Sequence, residues 1–196
     1  MTIRTNTQVG LFGGSFNPPH VCHTLATLWA LQTHPLDEVW WIPTYQHAFA
    51  KDLASYDHRR RMCELATAPI SRVRIVDIER ELGGESRTID TVRALKERHP
   101  DTTFHLIVGA DILAETHRWK NWDELLELVQ LLVVGRTGFN DENLEAGIDL
   151  RLPNISSTTI RKALSRCDYD SLRPWMPRDV LDYIHEHRLY VPPSCP

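Results

Sequence analysis

Val9-Gly10-Leu11-Phe12-Gly13-Gly14-Ser15-Phe16-Asn17-Pro18-Pro19-His20-Val21-Cys22-His23 decides how this 196-residue chain folds. Its apolar run, Val9 to Phe12, halts at Gly13-Gly14, and after the two prolines a stretch of helix formers runs from His20 to Leu31. That order predicts a strand, a glycine turn and a helix. Glycines let the backbone pass close to a ligand, and the N–H groups at a helix start attract an anion. His20 and His23, spaced His-x-x-His at that start, share a face and can both donate to phosphate oxygens; protonated, they offset charge growing in a transition state. Read alone, the stretch equally fits a plain tight turn followed by two partly exposed histidines.

Outward from it, Glu38 to Ile42 carries two consecutive tryptophans, which suits a strand buried on both faces of a parallel sheet. Thr44 to Tyr56 has no sustained period and reads as a loop. Asp57 to Thr67 follows as a helix with Asp57 as N-cap. Further strands are predicted over Arg72–Asp77, Thr103–Val108, Leu131–Val134 and Leu150–Leu152. Helices are predicted over Thr88–His99, Trp122–Leu128, Ser156–Ser165 and Pro177–His187. Strand and helix alternate, so the expected fold class is α/β, a Rossmann-like doubly wound parallel sheet. Residues 1–196 are expected to form a single domain, its C-terminal helical part covering about residues 154–196.

Composition is globular, with 42% hydrophobic and 24% charged residues. A net charge of -4 gives no global footprint for nucleic acid or an anionic membrane, so neither is an expected partner. No apolar run approaches a membrane span and Met1 to Gln8 is polar, which predicts a cytoplasmic protein. Cys22, Cys63, Cys167 and Cys195 form no C-x-x-C pair and are expected to be reduced thiols. A homo-oligomer stays open.

Far downstream, Ile155-Ser156-Ser157-Thr158-Thr159-Ile160-Arg161 places three hydroxyls at the start of a predicted helix and Arg161 about one turn in. A guanidinium fork beside helix N–H groups suits phosphate oxygens; ordinary capping with a solvated arginine fits the same residues. Between the two motifs, Leu106 to Gly109 is a strand end followed by Asp111, an acceptor for ribose hydroxyls or a helix cap. Trp119 can stack on a flat ring or sit in the core, and Thr88 can cap its helix. Asp57-His58-Arg59-Arg60-Arg61 reads as a solvated basic face.

Gly-Gly-Ser-Phe-Asn-Pro-Pro-His-x-x-His resembles the signature of the nucleotidyltransferase superfamily whose hallmark is His-x-Gly-His after a glycine turn. Ile-Ser-Ser-Thr-x-Ile-Arg resembles its second signature, in the branch that adenylylates pyridine mononucleotides. The chain thereby resembles the bacterial nicotinate-nucleotide adenylyltransferases from Val9 to about Tyr190. That resemblance implies an enzyme joining ATP and nicotinate mononucleotide into the dinucleotide and pyrophosphate, with nicotinamide mononucleotide left open as an acceptor. It implies Mg2+ as the counterion of ATP, without a dedicated protein metal cage. His20, His23 and Arg161 inherit the catalytic contacts to the triphosphate. Gly13, Gly14, Ser15, Phe16, Gly109, Asp111, Ser156, Ser157 and Thr158 inherit nucleotide binding, and Thr88 and Trp119 the pyridine ring. His47 and Lys51 fall in a loop similar to the family's Pro-x-x-x-His-Lys loop, though differently spaced, which implies a minor phosphate role for Lys51. Two positions depart from the pattern. Cys22 replaces the glycine between the histidines, and if its side chain crowds ATP, Cys22→Gly is expected to lower the Michaelis constant; Lys120 replaces a tyrosine after the tryptophan. These departures motivate a rival reading, a nucleotide-sensing protein without turnover. Phosphopantetheine adenylyltransferase, a shorter branch, ranks third.

Overall fold

The computed structural model describes residues 6–46, 53–110, 119–136 and 151–195. Among these residues six strands build one sheet: β1 (Thr7–Gly14), β2 (Glu38–Pro43), β3 (Val73–Ile75), β4 (Thr102–Gly109), β5 (Gln130–Arg136) and β6 (Arg151–Leu152). Their order is β3-β2-β1-β4-β5-β6 and every pairing is parallel. The order reverses between β1 and β4, which lie side by side with Leu11 opposite Leu106. At such a switch point the loops leaving the two strands part, opening a crevice beyond their carboxyl ends. Gly13-Gly14 ends β1 and Gly109 ends β4, so both predicted nucleotide elements border that crevice.

The helices are α1 (Val21–Thr33), α2 (Tyr56–Thr67), α3 (Ile78–Leu82), α4 (Thr88–Arg98), α5 (Trp122–Leu128), α6 (Ser157–Leu164) and α7 (Arg178–Glu186). They divide between two cores. Successive side chains of a strand point to opposite faces, and the tryptophan pair of β2 uses this directly. Trp41 enters a cluster with Ala26 and Ala30 of α1, Met62 of α2, Ile160 of α6 and Ile184 of α7. Trp40 enters the opposite cluster, with Ile89, Val92 and Leu95 of α4 and Leu125 of α5. At Gly10, in the middle of β1, an added Cβ would stand 3.0 Å from both Ile107 Cδ1 and Leu36 Cδ1, so those side-chain ends would have to shift for any larger residue.

Several local expectations are corrected. The glycine pair is no turn: Gly13 and Gly14 pair with Ile42 and Pro43 as the last residues of β1, and the chain bends only further on, at Asn17-Pro18. Ser55 rather than Asp57 caps α2, because its side chain accepts the His58 N–H at 3.3 Å while Asp57 lies in the first turn. Helix α3 and a 3-10 turn at Asp170–Leu172 follow segments too short to show a period.

The cysteines are not four thiols. Cys167 and Cys195 form a disulfide, with Cα atoms 5.7 Å apart, while Cys22 and Cys63 stay outside any disulfide. Arg188 draws the tail back by donating to the carbonyls of Pro193 (2.9 Å) and Cys195 (2.8 Å), a long-range closure that cysteine spacing does not encode. No helix among the described residues is long and apolar enough to cross a membrane.

Candidate active site

Beyond the end of β1 the chain is shaped by Phe16. Its ring is 2% exposed, stacks on Trp41 at 4.6 Å and meets Phe12 edge-on, so the side chain is an anchor and its backbone is what borders the crevice. Its φ of 43° is left-handed, a conformation costing about 1 kcal/mol or more for a non-glycine residue. Aromatic stacking of about 0.5–1.5 kcal/mol offsets that strain. A Cβ on Gly13 would meet nothing within 4 Å, which leaves the strand end open to a ligand.

His20 is buried and is the N-cap of α1 rather than its first helical residue. Its backbone N–H donates to Nδ1 of His23 at 3.0 Å, and the two rings lie 3.9 Å apart. Because a backbone N–H can only donate, a neutral His23 carries its proton on Nε2. In this arrangement the half-buried His23 is a fixed N–H donor at the mouth of the helix.

The second motif reaches the same loop. Arg161 donates to the carbonyl of Asn17 at 2.7 Å, and the Ser157 hydroxyl donates to the carbonyl of Pro18 at 2.9 Å. Ser156 is the N-cap of α6 and accepts the Thr159 N–H at 3.2 Å; Thr158 is exposed, 3.4 Å from the other arm of Arg161. Two helix N-termini and one guanidinium therefore converge on residues 17–20, an arrangement that attracts a polyanion.

Cys22 does not crowd this site. Its thiol is 3% exposed and donates to the Pro153 carbonyl at 3.6 Å, on the segment leading to α6. The expectation that Cys22→Gly tightens ATP binding is withdrawn. Removing a buried side chain and placing glycine in a helix should instead cost about 1–3 kcal/mol of stability, read as a lower urea midpoint. An unchanged midpoint with a lower Michaelis constant for ATP would restore the crowding idea.

The composition of the site also includes residues that sequence reading missed. Arg59 is 2% exposed and donates to the carbonyls of Ser15 (2.9 Å) and Ala54 (3.0 Å), while Tyr45 O lies 3.5 Å from its third nitrogen. Burial lowers its pKa, with Glu79 among the groups opposing that shift. Glu79 accepts the Tyr45 N–H at 3.1 Å, and burial raises its pKa against hydrogen bonds from Ser86, Tyr45 and Thr91. The Arg59 signal was present but disguised: Arg59, Met62, Cys63 and Ala66 fall on one buried face of α2, inside a run read as solvated.

On the acceptor side, Thr88 is the first residue of α4, whose N-cap is Arg87, and no side chain caps that end. Ser86, two residues earlier, accepts the N–H groups of Tyr45 (3.1 Å) and Gln46 (3.2 Å), tying the approach to α4 to the end of β2. Trp119 is half-buried and meets Trp122 edge-on at 5.5 Å. Lys120, the next residue, pairs with Asp90 in the first turn of α4 at 3.2 Å. Asp111, His47 and Lys51 lie outside the described residues. Among the described residues no group of three or more His, Cys, Asp or Glu side chains could hold a metal ion.

A family model described as Cytidylyltransferase-like matches residues 11–163. Over 186 residues the chain is 44% identical to a probable nicotinate-nucleotide adenylyltransferase of Anaeromyxobacter dehalogenans strain 2CP-1, covering 93% of this chain and 96% of that one. The chain belongs to the nicotinate-nucleotide adenylyltransferase family. A further family member, from Myxococcus xanthus strain DK1622, is 38% identical over 189 residues, covering 96% of this chain and 97% of its own. The family fold recurs in the Plasmodium falciparum nicotinic acid mononucleotide adenylyltransferase complexed with NaAD, at a TM-score of 0.81 over 94% of this chain and 97% of that one. At 22% identity that likeness concerns the fold.

Proposed function

We propose that this chain transfers the adenylyl group of ATP to nicotinate mononucleotide in NAD biosynthesis. A 5'-phosphate oxygen of the mononucleotide attacks the α-phosphorus of ATP. The new P–O bond forms as the bond to the β-phosphate oxygen breaks, and pyrophosphate leaves with that electron pair. The attacking group is already an anion, so no side chain need abstract a proton; positioning and charge neutralisation carry the step. The observation that carries this reading is the meeting of the two motifs, with Arg161 on Asn17 and Ser157 on Pro18 beside the paired imidazoles. His20, His23 and Arg161 hold the triphosphate, and the backbone of Gly13 to Phe16 lies under the nucleotides. Ser156, Ser157 and Thr158 supply the N-terminus of α6. Gly109 and Asp111 serve the ribose, and Thr88 and Trp119 the pyridine ring.

Mg2+ accompanies the phosphates of ATP, whose oxygens suit that hard ion. The reaction is placed in the cytoplasm. The sensor reading has lost one of its two motives, since the Cys22 thiol is turned to Pro153. Phosphopantetheine adenylyltransferase is disfavoured because the matched relatives carry the nicotinate-nucleotide name. The acceptor is tested by comparing rates with nicotinate and nicotinamide mononucleotides at equal ATP and Mg2+. Nicotinate mononucleotide should react faster; a clear preference for the amide would assign the other acceptor.

A further inference from the structure

The C-terminal tail ends in a contact with the signature loop that neither motif predicts. Tyr190 follows α7, and its hydroxyl donates to Oδ1 of Asn17 at 2.7 Å, across 173 positions of sequence. The same Oδ1 accepts the Ala54 N–H at 3.1 Å, which can only donate, so the orientation of the Asn17 carboxamide is fixed. Asn17 is 1% exposed, and its Nδ2 has no hydrogen-bond partner among the described residues. The amide is therefore held through its oxygen alone. Its backbone carbonyl takes Arg161 at 2.7 Å.

The tail is shaped to make this contact. Leu189 N–H returns to the Ile184 carbonyl at 3.0 Å, Arg188 binds the Pro193 and Cys195 carbonyls, and Arg188 and Tyr190 both adopt left-handed backbone, φ 50° and 64°. Two such residues cost about 1–3 kcal/mol each, which the tail sustains to turn the Tyr190 ring inward. Burial raises the Tyr190 pKa, with Arg161 and Arg59 among the groups opposing that shift, so the hydroxyl keeps the proton it donates.

We propose that Tyr190 is a positioning residue for the phosphate site: acting through the Asn17 carboxamide, it fixes residues 17–20 and the partner carbonyl of Arg161. The inference rests on the ATP site of the proposed function. It is distinct from that function because it concerns affinity for ATP as well as turnover.

The test is a set of full-length variants, Tyr190→Phe, Asn17→Ala and the double variant, titrated with Mg-ATP by calorimetry alongside their melting temperatures. Tyr190→Phe should weaken ATP binding about tenfold, a 1.4 kcal/mol effect, while retaining a cooperative melt. If Tyr190 acts through Asn17, the double variant binds no worse than Asn17→Ala within about twofold. Wild-type ATP affinity in Tyr190→Phe, losses that multiply in the double variant, or a lower melting temperature with unchanged affinity would overturn the assignment. A wild-type chain that binds ATP but releases no pyrophosphate would fail the proposed function, and the affinities would still decide the role of Tyr190. A wild-type chain that binds no ATP would overturn both.

Discussion

Replacing His23 by alanine is expected to lower adenylyl transfer by about 10²–10³-fold, the loss seen when a fixed donor to developing charge is removed. The geometry gives the reason. His23 accepts the His20 N–H through Nδ1, so its neutral ring holds Nε2–H ready for a phosphate oxygen, 3.9 Å from the ring of its partner histidine. The same variant removes a capping contact from α1, worth about 1 kcal/mol. For a chain of this length that lowers the melting temperature by about 2–4 °C, too little to explain the lost turnover. Steady-state rates measured well below the melting transition separate the two effects. His20→Ala should act in the same direction. Near-wild-type turnover by a folded His23→Ala protein would remove the imidazole pair from the mechanism.

Arg59→Leu should produce the largest loss of stability, about 3–5 kcal/mol. Leucine fills part of the volume but leaves the Ser15 and Ala54 carbonyls without their donor, and each buried unsatisfied acceptor costs about 1–3 kcal/mol. Lysine should not rescue it, because a single ammonium cannot reproduce the guanidinium fork that spans these carbonyls. Urea unfolding monitored by tryptophan fluorescence reads the change. A loss below about 1 kcal/mol would return Arg59 to the solvated face that the basic run first suggested.

What the sequence disclosed and what it hid follow from how far each feature reaches along the chain. Trp40-Trp41 announced a strand buried on both faces because side-chain alternation is a local property, and the two rings do enter opposite cores. The glycine pair was misread as a turn that follows the strand, since nothing in a diglycine tells that Ile42 and Pro43 will pair with it as the last residues of β1. The meeting of Ser157 and Arg161 with Pro18 and Asn17 could be reached only through family resemblance, because strand order is not written in local periodicity. Arg59 was hidden by its neighbours: three arginines in a row look solvated unless the buried face of α2 is traced through Met62, Cys63 and Ala66. Tyr190 and the Cys167–Cys195 disulfide were invisible for another reason. Both depend on a tail that doubles back through left-handed residues, which no propensity of Arg188 or Tyr190 favours.

The most direct measurement is product analysis of the purified chain incubated with ATP, Mg2+ and nicotinate mononucleotide, following pyrophosphate and the dinucleotide together. Adenylyl transfer predicts the two products in equal amounts, each requiring both substrates. Saturable binding of the nucleotides without pyrophosphate release would contradict it and leave a binding protein in the place of an enzyme.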